Sequence, residues 1–125
     1  MKIIAITQAR TGSTRFPNKI MNKIEDETLL SIHINRIKKS KKINSIIIAT
    51  TNKKNDDIIE LASSKLNVSC YRGDEEDVLD RFYQAAKPYN PDFIVRLTSD
   101  CPLIDSSLID MIIEATVNSN VDYCS

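Results

Sequence analysis

A chain of 125 residues is enough for one domain that buries roughly two-thirds of the surface its unfolded form exposes, and it need not be a complete enzyme. Seventeen basic and seventeen acidic residues cancel, so no global field draws the protein toward nucleic acid or a membrane surface, and an anion must be attracted by local clustering. Cys70, Cys101 and Cys124 are odd in number, widely spaced and without a C-x-x-C pair, which argues against a disulfide framework or a zinc site and fits a reducing cytoplasm. No apolar run approaches the ~20 residues of a membrane span, and the N-terminus opens on a short core segment instead of a signal-type apolar region. A soluble, unprocessed chain is expected.

The run Ile3-Ile4-Ala5-Ile6 predicts a strand near 2–8 buried on both faces, the kind found in parallel sheets covered by helices above and below. It empties into Gln8-Ala9-Arg10-Thr11-Gly12-Ser13-Thr14-Arg15-Phe16-Pro17-Asn18-Lys19, which holds three cations, three hydroxyls and one of only two glycines. Such a loop lies at the carboxyl end of the strand, where open α/β sheets bind ligands. Gly12 allows backbone N–H groups to turn toward an anion, Ser13 and Thr14 add hydroxyl donors, and Arg10, Arg15 and Lys19 add charge, which would suit a triphosphate. A solvated basic loop is the competing explanation, because the spacing is neither a P-loop nor a dinucleotide fingerprint.

Next, Leu29, Leu30, His33, Ile34 and Ile37 recur at helical spacing from about Thr28 to Lys39, and the lysines at 38, 39, 41 and 42 suit the negative end of the helix dipole better than a nucleic-acid patch. His33 lies on the apolar stripe and is expected in the core. A second β-branched strand near 44–50 runs into Thr51-Asn52-Lys53-Lys54-Asn55, and Asp56 and Asp57 open a helix to about Lys65 with Ile58, Ile59, Leu61, Ala62 and Leu66 inward. A short strand near 68–71 precedes Arg72-Gly73-Asp74-Glu75, where Asp74 or Glu75 would cap a helix to about Ala86 with Val78, Leu79, Phe82 and Ala85 or Ala86 as its apolar face. Pro88 and Pro91 bracket a turn, and a buried strand near 92–97 ends in Thr98-Ser99-Asp100-Cys101-Pro102. Asp105-Ser106-Ser107 then caps a helix carrying Leu108, Ile109, Ile112, Ile113 and Ala115. Asp100, at the tip of a central strand, is either a turn cap or a hard-oxygen donor that could hold magnesium against a triphosphate.

Strand and helix alternating in this way imply a three-layer, Rossmann-like α/β fold with a mainly parallel sheet. The segments Ala9 to Lys19 and Arg96-x-Thr98-x-Asp100-Cys101-Pro102-Leu103-Ile104-Asp105 resemble the two signatures of the sugar cytidylyltransferases, closest to the spore coat polysaccharide biosynthesis protein F branch and related to CMP-Kdo and CMP-sialate synthetases. The stretch from Arg72-Gly73 to Asp77-Val78-Leu79-x-Arg81 is similar to what that family uses beside its nucleotide. The resemblance implies CMP transfer from CTP to a sugar, expected to be acidic, with release of pyrophosphate in surface polysaccharide synthesis. It further implies that Ala9, Arg10, Gly12, Ser13, Arg15 and Lys19 bind the nucleotide, with Arg72 and Arg81 as weaker candidates. Arg10, Lys19 and Asp100 would be catalytic, and Asp100 would hold Mg2+. Residues 1–125 would then be the N-terminal nucleotide-binding part of one nucleotidyltransferase domain, incomplete at its C-terminus, with room left for a homodimer. The acid that the family often places straight after its Ala-Thr pair is replaced here by Thr51-Asn52. Two alternatives stay open: a partial domain that binds nucleotide without turnover, and a nucleotidyltransferase of the same fold that uses another nucleoside triphosphate.

Overall fold

In the computed structural model, which describes residues 2–10, 23–24, 27–74, 76–98 and 106–119, the first apolar run forms strand β1 (Ile3–Gln8), and residues 3 to 7 are all buried. The two-residue strands β2 (Lys23–Ile24) and β3 (Glu27–Thr28) pair antiparallel, a feature the apolar periodicity does not signal. Helix α1 (Leu29–Ile37) follows, capped by Thr28, whose Oγ1 accepts from the Ser31 amide at 3.0 Å. Strand β4 (Ser45–Thr51), a 3-10 turn at Lys54–Asp56, helix α2 (Asp57–Lys65), strand β5 (Ser69–Gly73) and helix α3 (Val78–Ala86) come next. A 3-10 turn at Lys87–Tyr89, strand β6 (Phe93–Thr98) and helix α4 (Ser106–Ser119) complete the order.

The main sheet runs β5-β4-β1-β6 with every neighbouring pair parallel. Because successive residues of β1 point to opposite sides, its apolar run feeds two cores at once. Ile3, Ala5 and Ala9 pack with Leu30, Ile34 and Ile37 of α1, Ile59 of α2, and Ile109 and Ile113 of α4. Ile4 and Ile6 pack on the other side with Ile47, Ala49, Ala85 and Ala86, beneath α3. Helices on both faces of a parallel sheet make the three-layer α/β arrangement expected from the sequence. His33 is fully buried and its Nε2 lies 2.9 Å from Thr7 Oγ1, tying α1 to the carboxyl end of β1.

Several boundaries and faces differ from expectation. Asp74 does not cap α3: its Oδ1 accepts from Glu76 N in a local turn, while Asp77 Oδ1 accepts from Asp80 N at 2.9 Å and is the true cap. The buried stripe of that helix is Arg81, Ala85 and Ala86 with Phe82 partly buried beside it, which leaves Val78 38% and Leu79 77% exposed. In α2 the sequence offers two overlapping apolar stripes, and the fold buries Ile59, Ser63 and the flanks of Ala62 and Leu66, so that Ile58 and Leu61 face solvent. Ser63 is accommodated because its hydroxyl donates to Ile59 O at 2.9 Å. In α4, Ile109 and Ile113 point inward while Leu108, Ile112 and Ala115 are exposed. Strand β6 is buried on one face only among the described residues. Phe93, Val95 and Leu97 join the first core, but Ile94 and Arg96 are exposed on the side of α3, where Arg96 lies over the Phe82 ring at 5.5 Å.

Asp110 joins α4 to the turn before β4 by accepting from Ser40 Oγ and from the amides of Lys41 and Lys42 at 2.9 and 3.3 Å. Burial works to raise its carboxyl, but these donors together hold it below the ordinary carboxylate value. A carboxylate whose folded value is depressed contributes stability above its unfolded value and loses it as pH falls through the folded one. The unfolded chain binds the proton first, so stability falls on acidification below about pH 4. Asp110→Asn should flatten that part of the stability profile, measured by urea unfolding at a series of acidic pH values.

Candidate nucleotide site at the carboxyl edge of the sheet

Starting from β1, the chain adds β4 and β5 on one side and then returns to place β6 on the other. The order therefore reverses between β1 and β6, and the crevice outside the carboxyl ends at that reversal is where open α/β sheets bind ligands. The register is specific: Gln8 pairs with Thr98 across β1 and β6, and with Ala49 across β1 and β4. The segment rich in Arg, Ser and Lys begins one residue after Gln8, and Asp100 follows Thr98 by two positions. The strands that lead to both halves of the predicted site thus end side by side.

Of the residues singled out in the sequence, Ala9, Arg10, Arg72 and Arg81 are described, and Gly12, Ser13, Arg15, Lys19 and Asp100 lie outside the described residues. Ala9 is buried in the first core and its amide donates to Ala49 O at 3.0 Å, so it extends the β1 pairing and sets the exit of the loop. Arg10, next along, is exposed at the same edge. Arg72 and Arg81 belong to a second constellation two strands away, at the end of β5.

That constellation explains the Arg-Gly pair. Arg81 is 4% exposed and donates from Nη1 to Asp74 O at 3.0 Å. Its stem crosses Gly73: a Cβ built on the glycine would stand 3.1 Å from Arg81 Cγ and 2.9 Å from Tyr71 Cε1. The glycine is needed there for space, since its backbone is not in the left-handed region. Arg72, on the preceding residue, reaches the loop after β4. Its Nε donates to Thr51 O at 2.8 Å, Nη2 to Lys53 O at 2.7 Å, and Nη1 to Asp57 Oδ1 at 2.7 Å. The hydrogen bond to Asp57 holds the guanidinium above its ordinary value, so it is charged throughout any accessible range. Inside the same loop, buried Asp56 accepts from the Thr51 hydroxyl, and Lys53 N donates to Thr51 Oγ1 at 3.2 Å.

The sequence pointed to acids at 56 and 57 as helix starters. It did not show that one anchors a buried threonine and the other an arginine from the neighbouring strand; the Arg72–Thr50 register is the signal, and it exists only once strands are paired. Among the described residues no cluster of three or more His, Cys, Asp or Glu side chains could hold a metal ion. Burial raises the Cys70 thiol, which makes it a packing group and a poor nucleophile. A cavity of about 340 Å3 opens at the opposite edge of the sheet, lined by Lys38, Ser40, Asn44 and Asn67, far from the strand ends that meet at Gln8 and Thr98.

The fold and the reversal point define an α/β protein of the nucleotidyltransferase type. Residues 4–125 match the cytidylyltransferase family, and the chain belongs to it. It is 53% identical to an uncharacterized protein of Methanocaldococcus jannaschii, covering 100% of this chain and 51% of that one. It is 39% identical to the spore coat polysaccharide biosynthesis protein SpsF of Bacillus subtilis, covering 97% and 52%. Among solved structures, a cytidylyltransferase from Leptospira borgpetersenii superposes with a TM-score of 0.90 at 42% identity, covering 94% of this chain and 50% of that one. A CMP-2-keto-3-deoxy-manno-octonic acid synthetase complexed with CTP superposes at 0.84 with 17% identity, over 97% and 49%, and so shares the fold. The chain spans about half the length of the curated relatives it matches. No helix among the described residues is long and apolar enough to cross a membrane.

Filling the space over Gly73 forces either Tyr71 or the Arg81 stem to move. Gly73→Ala should therefore destabilise the protein by about 1–3 kcal/mol, the usual cost of overpacking a close contact. The midpoint of urea unfolding checks this, and an unchanged midpoint would show that Arg81 is not confined there.

Proposed function

We propose that this chain is the nucleotide-binding half of an enzyme that transfers CMP from CTP to a sugar hydroxyl with release of pyrophosphate, in the synthesis of a surface polysaccharide. The observation that carries the proposal is the Gln8–Thr98 register, which makes the strand leading into the cationic loop and the strand leading to Asp100 immediate neighbours at the reversal point. Family membership supports cytidylyl transfer, and the B. subtilis relative supports a polysaccharide context.

In the proposed reaction the sugar hydroxyl oxygen attacks the α-phosphorus and releases its proton to solvent, the bond between α-phosphorus and the bridging oxygen breaks, and that oxygen leaves on pyrophosphate. The demand on the protein is alignment and neutralisation of charge, with no covalent intermediate. Arg10, Ser13, Arg15 and Lys19 would grip the triphosphate, the guanidinium groups by paired hydrogen bonds and the lysine as a point charge. Gly12 would let backbone amides approach it. The donor chemistry fits magnesium: Asp100 comes two residues after the end of β6, which pairs with the end of β1, and a carboxylate is the hard oxygen ligand this ion prefers. Asp100 would hold the ion, which when bound neutralises charge on the phosphates. Arg81, packed into the β5–α3 corner, would steady the base or ribose side of the pocket.

A second reading has its own support. Because the chain covers about half of its relatives, these residues could bind CTP and leave turnover to a sugar pocket contributed by further chain. Calorimetry with CTP and magnesium, paired with a pyrophosphate-release assay, separates the two. Binding with release on addition of a sugar supports the enzyme, binding alone supports the module, and no preference for CTP over UTP, GTP and ATP contradicts both. Asp100→Asn should abolish the magnesium dependence of CTP binding, and Arg15→Ala should weaken binding roughly tenfold, as expected for a lost charge-assisted hydrogen bond. Magnesium dependence that survives Asp100→Asn removes that residue from the site.

A further inference from the structure

Arg72 commits Nε, Nη1 and Nη2 to three separate points of the chain: the carbonyls of Thr51 and Lys53 and the carboxylate of Asp57 at the start of α2. Between those carbonyls Asn52 donates its amide to Gly73 O at 3.0 Å, next to Arg72 itself. The β4–α2 connection is thus clamped from the end of β5 on both sides of Asn52. Its outward side chains, Asn52, Lys53 and Lys54, are exposed at the carboxyl edge. Strand β4 is the direct neighbour of β1, so this loop borders the exit of the cationic loop at Ala9 and Arg10. A loop held in this way has little conformational freedom left to lose when a ligand arrives, and such preorganisation appears as affinity.

We infer that Arg72 is a positioning residue: it acts on the nucleotide through the β4–α2 loop, holding Asn52 and Lys53 ready at the edge of the site, rather than by touching the nucleotide itself. The inference rests on the CTP reading and gives Arg72 a role other than the direct contact suggested by its place in the sequence. Its geometry is specific to a guanidinium, because only a planar fork reaches two carbonyls and a carboxylate together; lysine cannot. Glu60 Oε1 stands 3.9 Å from Nη1 and is a secondary partner.

Asp57 decides between the two roles. It is 62% exposed, and its contact with Arg72 can be loosened without altering the arginine. If Arg72 clamps the loop, Asp57→Asn weakens CTP binding in calorimetry by about threefold, Arg72→Met by about tenfold, and the double variant binds no more weakly than Arg72→Met, because both changes act through one network. Arg72→Lys should behave like Arg72→Met, and hydrogen exchange at the amides of residues 53–55 should quicken in every variant while the β1 amides keep their protection. If Arg72 instead contacts the nucleotide, Asp57→Asn leaves CTP binding unchanged or tightens it, and exchange in the loop does not track affinity; either result overturns the inference. Failure of the unaltered protein to bind CTP is a different outcome, which contradicts the nucleotide reading and this role with it.

Discussion

Strand β1 pairs in parallel with β4 on one side and β6 on the other, and the rest of the molecule follows from that double pairing. A strand in the middle of a parallel sheet has no solvent face, so every residue from Ile3 to Thr7 is buried and must be apolar or internally bonded. Thr7 meets this demand by its contact with His33. The same pairing decides where chemistry can occur. Parallel strands send all their carboxyl ends to one edge, and the reversal of strand order beside β1 marks the place on that edge where open α/β sheets bind ligands.

The carboxyl edge is built from two different kinds of arginine environment. Near the reversal point Arg10 follows a strand end and is exposed. At the end of β5 the arginines are put to work inside the protein: Arg81 lies across Gly73, and Arg72 spans the β4–α2 loop. Backbone carbonyls accept from Arg72 Nε and Nη2 and from Arg81 Nη1, which offsets part of the cost of drawing these charges away from water. The loops between them therefore have defined shapes at the edge where a triphosphate is expected.

Much of this is legible in the sequence. Isoleucine-rich runs mark β1 and β4, a mixed apolar run marks β6, and the short segment after Val68 marks β5, each to within two residues. His33 at a core position of an apolar stripe was correctly placed. What failed were choices between equivalent patterns. Ile58 and Ile59 are adjacent and equally apolar, so periodicity alone could not say that Ile59 is buried and Ile58 is not; the position of the sheet beneath α2 decides it. Leu79 was misplaced for a related reason: Arg81, a residue normally assigned to the surface, claims the inner face of α3. The acidic run from Asp74 to Asp77 contains several possible caps, and Asp77 takes that place because Asp74 is committed to the Glu76 amide in the turn before it. Asp57, which completes the Arg72 clamp, looked like a simple helix starter because its partner comes from another strand.

The central claim is that nucleotide and cation meet at the ends of β1 and β6. Paramagnetic broadening of amide resonances by Mn2+ added with CTP tests it most directly, because the effect falls steeply with distance from the ion. The account predicts that broadening is strongest for Gln8, Ala9, Arg10, Leu97 and Thr98 and requires CTP. Broadening centred instead on the far edge, around Ile43, Asn44 and Asn67, or spread evenly over both edges, would contradict it.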